Sequence, residues 1–256
     1  FKNINFETEG SDFTFISAPS KMDGKYNYSH NVTIDGCTFT GNQTVGSASF
    51  TGTYNLVMKN CEANNMHSIL QAQSCDNTVY VENVAVNNCK SGVSFGNTAY
   101  PTLKNSTINA AVYGVRADAN ASRGNLVIEN TAINATQPVI VRKTTTAGYV
   151  LNVAESTVLT TGEIYQVVFT KGSDDAEYVA PEVTFTYNVP AKYNVFPLAE
   201  GVAVNVSTDA QVREMLKAGN DVILANDITT TDAESNGYGA TGLNINGGVF
   251  DGNGHT

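Results

Sequence analysis

The chain has 256 residues, a net charge of −10, only 15% charged residues, four cysteines and no tryptophan. No basic stripe exists to neutralise phosphates, which excludes nucleic acid as a partner. No apolar run approaches the roughly 18 residues of a membrane span, and Cys75 and Cys89 fit no metal spacing such as C-x2-C.

One short phrase recurs six times: VTIDGCTFTGN (Val32–Asn42), LVMKNCEANNM (Leu56–Met66), VYVENVAVNNC (Val79–Cys89), PTLKNSTINAA (Pro101–Ala111), LVIENTAINAT (Leu126–Thr136) and VLNVAESTVLT (Val150–Thr160). Its anchors Ile34, Met58, Val81, Leu103, Ile128 and Val153 are 24, 23, 22, 25 and 25 residues apart. Each phrase alternates apolar and polar residues and turns at Asn or Gly, the pattern of a strand with a corner behind it. A weaker strand phrase follows about twelve residues later, as in SASF, SILQA, SGVSF, YGVRA and PVIVR. A period in the twenties without helical stripes predicts stacked β-coils.

Stacking places like residues in files roughly 4.8 Å apart. The corner file reads Gly36, Asn60, Asn83, Asn105, Asn130, which predicts an amide ladder. A second polar file reads Thr40, Asn64, Asn87, Asn109, Asn134. The outward file Asp35, Lys59, Glu82, Lys104, Glu129 alternates in sign, so each step pairs opposite charges. Cys37 and Cys61 begin a small-residue core file that continues as Val84, Ser106, Thr131 and Ser156. They are read as buried and unpaired, although a bridge between coils remains open.

These phrases and files resemble the right-handed parallel β-helix superfamily, the pectate-lyase-like solenoids, and within it the non-catalytic surface or secreted repeat proteins. The resemblance covers Phe1 to Phe169 and the end of the chain. It implies an all-β, right-handed parallel β-helix solenoid of about seven or eight coils.

The expected division is coils over 1–170, a terminal coil or linker over 171–200, and a cap-like helix with first coils over 201–256. The last region carries a capping box, Thr208 with Gln211, and an apolar stripe Val212, Met215, Leu216, which predicts a short helix near 208–218. GLNINGGVFDGNG then repeats the first phrase, with Ile245 matching Ile34 and Phe250 matching Phe39. In β-helix proteins such a helix caps the first coil, yet here it comes late. Read from Thr256 back to Phe1, the strands continue without a break. A tandem array, head-to-tail assembly, circular permutation or an arbitrary boundary each explains this order, as does the start of a second β-helix. Phe1, Ile4, Phe6, Ile245, Phe250 and His255 mark the ends that would meet, because an open coil edge is a template for pairing.

The chemistry expected of pectinolytic β-helix enzymes is weakly represented. Inverting hydrolases need two carboxyl groups spaced for a water, one of them kept protonated. Here the outward acids alternate with lysines. His30, His67 and His255 have no triad context, and Asp251 with Asn253 lacks a calcium-loop pattern. No catalytic residue, metal ligand or cofactor is expected. A basic and aromatic cluster, Lys90, Tyr113, Arg116, Asp118, Arg142 and Lys143, is the candidate for an acidic glycan. The reading is a secreted or cell-surface structural or adhesive module, or a viral fibre, that self-associates end to end. Its rivals are a polysaccharide lyase or hydrolase and a glycan-binding module.

Overall fold

The computed structural model describes residues 1–10, 14–18, 21–22, 25–26, 31–96, 98, 100–119, 125–143, 149–168, 185–198, 203–217, 221–229 and 250–256. It divides into two compact units: Phe1–Tyr165 with Thr170–Val195, and Gln166–Phe169 with Phe196–Thr256.

The first unit is a parallel β-solenoid with three faces. Its coils are built alike. The first complete coil runs Asn31–Asp35, Thr38–Thr40, Gly46–Thr51, the second Asn55–Lys59, Glu62–Asn64, Leu70–Gln73, and the sixth Tyr149–Val153, Val158–Leu159, Glu163–Val168. Strands on each face pair in parallel with the coil before and the coil after. The expected seven or eight coils are therefore corrected to about six complete ones. Asn5–Glu7 and Thr14–Ala18 make a partial coil before them, and Phe185–Asn188 adds one strand to the first face. The remaining residues, counted as coils by their phrase, belong to the second unit.

The anchors pair in unbroken register: Ile34 with Met58, Met58 with Val81, Val81 with Leu103, Leu103 with Ile128, Ile128 with Val153. All six are buried, and each fully buried aliphatic side chain stabilises by roughly 1.5–3 kcal/mol relative to exposure. On the second face Phe6, Phe39, Ala63 and Val86 form a file. The Phe6 and Phe39 rings stack at 5.0 Å with 3° between their planes. On the third face Phe50, Ala72, Phe95 and Ala117 alternate large with small, which fills the interior without forcing coils apart. Gly114 serves the same end. A Cβ there would lie 2.1 Å from Ile133 Cγ2 and 2.7 Å from the Pro138 carbonyl oxygen.

Corners follow from backbone conformation. Asn3, Asn60, Asn83, Asn105 and Asn130 all have φ between 43° and 54°, and Gly36 has φ 66°. This left-handed region suits Gly and Asn and costs other residues roughly 1–2 kcal/mol. At Gly36 a Cβ would meet Asn3 Oδ1 at 2.3 Å, so a side chain there would oblige the Asn3 amide to turn away. The corner amides then bond upward. Asn60 Nδ2 donates to Asp35 Oδ1 (2.8 Å), Asn83 to Asn60 Oδ1 (2.8 Å) and Asn130 to Asn105 Oδ1 (2.9 Å). Asn105 instead donates to Glu82 Oε1 at 3.0 Å, so the expected ladder changes partner at one rung.

The second polar file is broken in the same unit. Asn64 pairs with Asn87, and Asn109 with Asn134. Between Asn87 and Asn109 the register shifts, because Cys89 pairs with Ala110. The extra residue is Asn88, with φ 50°. It donates to Asn65 Oδ1 at 2.6 Å. The small-residue file also needs one correction. Cys37, Cys61, Val84, Ser106 and Thr131 are buried as expected, but Ser156 is exposed and Thr157 takes its place. The sixth corner holds one more residue than the fifth, closed by a Thr157 N–H bond to the Ala154 carbonyl at 2.9 Å. Ser156 Oγ accepts from the Asn130 N–H instead.

In the second unit, Ala203–Val206, Asp221–Leu224 and Phe250–Asp251 form a three-stranded parallel sheet. The helix Asp209–Lys217 is the only one among the described residues. Its capping box is made: Gln211 N–H donates to Thr208 Oγ1 (3.3 Å) and Thr208 N–H to Gln211 Oε1 (3.2 Å). Val212, Met215 and Leu216 are buried as the stripe predicts.

Candidate functional site

The outward file is the most ordered chemical feature of the first unit. Asp35, Lys59, Glu82, Lys104 and Glu129 stand directly over one another. Lys59 Nζ lies 3.6 Å from Asp35, and Lys104 Nζ lies 3.6 Å from Glu82. The Asn60 hydrogen bond, aided by Lys59, holds the Asp35 carboxyl below its ordinary range. For Glu82 the largest influence, desolvation, pushes upward. Hydrogen bonds from Tyr80 and Asn105, with Lys104, outweigh it and leave the carboxyl lowered. Lys104 is raised chiefly by its hydrogen bond with Tyr80, over whose ring its Nζ sits at 5.0 Å. These acids are tuned to stay ionised, which suits structural pairing and not proton donation.

Of the basic and aromatic cluster, the side chains of Asp118, Arg142 and Lys143 lie outside the described residues, and only their backbone register is given. Arg116 lies over the Tyr113 ring, 5.4 Å from its centroid, and Tyr113 is buried. On the third face Arg116 pairs with Ile140, Asp118 with Arg142 and Ala119 with Lys143. Arg116 and Arg142 therefore occupy register positions one coil and two residues apart. Lys90 belongs to the corner before this face, where its N–H bonds the Met66 carbonyl. Tyr165 is buried and donates to Glu163 Oε2.

The predicted ends fall in different units. In the first, Phe1 is 56% exposed and Ile4 37%, while Phe6 is half-buried against Phe39 and Phe15. Among the described residues the strand Asn5–Glu7 has a partner on one side only. In the second, Phe250 is 47% exposed on a strand that likewise ends its sheet among the described residues, unlike the buried Phe39 it matches in sequence. His255 Nδ1 stands 3.3 Å from Asp227 Oδ1, and the Thr256 N–H, ahead of His255, lowers the Asp227 carboxyl. Ile245 lies outside the described residues.

The cysteines are all buried and free. Burial pushes the Cys61 thiol up to about 11, and raises Cys75 and Cys89 as well. Among the described residues no group of three or more His, Cys, Asp or Glu side chains is placed to hold a metal ion. Asp251 Oδ1 is already taken by the Asn253 N–H at 2.8 Å. Nor is any described helix long and apolar enough to cross a membrane.

A parallel β-solenoid with three faces and asparagine corners defines the class of protein. The family model described as "Periplasmic copper-binding protein (NosD)" matches residues 21–197, and the chain belongs to this family. The match agrees with the right-handed parallel β-helix superfamily and with a periplasmic or surface setting. No curated protein and no solved structure matches the chain. Copper favours clustered thiolate, thioether or imidazole donors. Among the described residues no three His, Cys, Asp or Glu side chains gather into such a cluster, so these residues do not fit the ion in the family's name.

Proposed function

We propose that the chain is a non-catalytic periplasmic or surface β-helix module, a stiff scaffold that extends by stacking end to end. The observation that supports it best is the outward file, whose acids Asp35 and Glu82 are held ionised by amide and lysine neighbours. A lyase or hydrolase needs a carboxyl or base tuned towards neutrality. Copper is no part of this reading.

Stacking rests on the edge strand Asn5–Glu7, with Phe1 and Ile4 exposed beside it, and on the exposed Phe250 of the other unit. The occupant is a second copy of this chain, whose own terminal strand has the same parallel geometry. Sedimentation velocity from about 1 to 100 μM tests this by mass action. Association that rises with concentration, and is lost in Ile4→Asp and Phe250→Asp, is the expected result. A monomer at every concentration overturns the stacking.

A second reading, binding of an acidic glycan, is favoured by Arg116 over Tyr113 with Asp118 and Arg142 in register beside them. Retention of the protein on an acidic polysaccharide gel, weakened by Arg116→Ala, supports it. Unaltered migration sinks it.

A further inference from the structure

We propose that Cys37 and Cys61 are partners in a disulfide that fastens the first complete coil to the second in an oxidising compartment.

The register brings them together. Asp35 pairs with Lys59 before the corner and Thr38 with Glu62 after it. Cys37 and Cys61 therefore face each other across one coil step. That step is roughly 4.8 Å, within the Cα separation of roughly 4.4–6.8 Å that a disulfide spans. Both side chains point into the same dry interior, at 1% and 2% exposure. The Cys61 Sγ leans towards the first coil, 3.8 Å from the Ile34 carbonyl oxygen, while also reaching its own Lys59 carbonyl at 3.1 Å. Cys37 Sγ reaches the Asp35 carbonyl at 3.6 Å. Turning both sulfurs from these weak contacts towards each other requires side-chain rotation and a small convergence of the Cβ atoms.

The other two cysteines have different surroundings. Cys75 Sγ stands 2.9 Å from Thr53 Oγ1, and Cys89 Sγ accepts from the Met66 N–H at 3.3 Å. The family's periplasmic setting supplies the second line of argument, because disulfides form and persist there.

In the reaction each thiol gives up its hydrogen and one S–S bond forms. A small-molecule or protein disulfide takes the two electrons and two protons and leaves as two thiols. Exchange needs a thiolate and access, and burial at 1% and 2% exposure denies access in the folded core. The bond therefore forms while the coils are closing.

The file itself provides the control. Ser106 and Thr131 occupy it in later coils and donate to Lys104 and Glu129 as the cysteines donate to Asp35 and Lys59. Cys37→Ser thus puts a hydroxyl where the fold already accepts one. The full chain is unfolded, refolded with oxidised and reduced glutathione, then alkylated in denaturant and weighed. The expected protein takes up two alkyl groups instead of four, yields a Cys37–Cys61 peptide and melts roughly 5–10 °C above its reduced form. Cys37→Ser abolishes the bond, whereas the double variant Cys75→Ser/Cys89→Ser retains it. Four alkylated cysteines after refolding, or a bridge through Cys75 or Cys89, overturns the proposal.

Discussion

Replacing Gly114 by alanine tests whether the coils are packed as closely as the corner geometry requires. The added Cβ would stand 2.1 Å from Ile133 Cγ2 and 2.7 Å from the Pro138 oxygen. Neither neighbour can yield cheaply. Ile133 is β-branched and 1% exposed, and the oxygen is backbone. Overpacking of this kind costs about 1–3 kcal/mol. Ile133→Ala alone leaves a cavity and costs about 2–5 kcal/mol. In the double variant the clashing methyl is gone, and the new Cβ occupies part of its space. Its cost should fall short of the sum by about 1 kcal/mol. Urea unfolding followed by tyrosine emission measures all three, since the chain has 12 tyrosines and no tryptophan. Costs that add to within about 0.3 kcal/mol would refute the close approach.

Two further outcomes follow from the corners and the outward file. Asn105→Ala loses the bond to Glu82 and the bond from Asn130 and must also hold φ 52° without an amide; Asn105→Gly loses the same bonds but not the conformation. The alanine variant should be the less stable by about 0.5–1 kcal/mol in urea, and a glycine variant of equal or lower stability would contradict the left-handed corner. Asp35 and Glu82 have folded pKa values below their ordinary 3.8 and 4.5, so their contribution is complete above those values and lost as pH falls through the depressed ones. The melting temperature should hold from pH 7 to about 5.5 and decline below about 4.5, less steeply in Asp35→Asn. An unchanged slope in that variant argues against the pairing.

Much of the first unit was legible because its core is one-dimensional. A residue such as Val81 needs only the right neighbour above and below, and the period supplies both. The charge file was legible for the same reason. What escaped were local changes in corner length. Ser156 was assigned to the core because the phrase was aligned without a gap, whereas the sixth corner holds one residue more and buries Thr157. Asn88 escaped likewise, since an inserted left-handed residue leaves the alternation of VAVNNC almost unchanged. A further amide file was missed altogether: Asn55 donates to Asn31, and Asn77 to Asn55. Those asparagines precede the phrase, where no apolar pattern marks the register. The candidate site was less readable. Sequence spacing put Arg116 and Arg142 on one side, but did not show that Arg116 covers Tyr113 or that Lys90 sits at a corner.

The register has a mechanical corollary. The strands of each winding pair only with those of the windings above and below it among the described residues, so load applied along the axis passes mainly through these interfaces in series. Such a column is no stronger than its poorest joint. On the second face the described pairing thins to two residues between the fifth and sixth windings, Ala132 with Val158 and Ile133 with Leu159, against three at the slipped step beside Asn88, so a pulled molecule should yield there first.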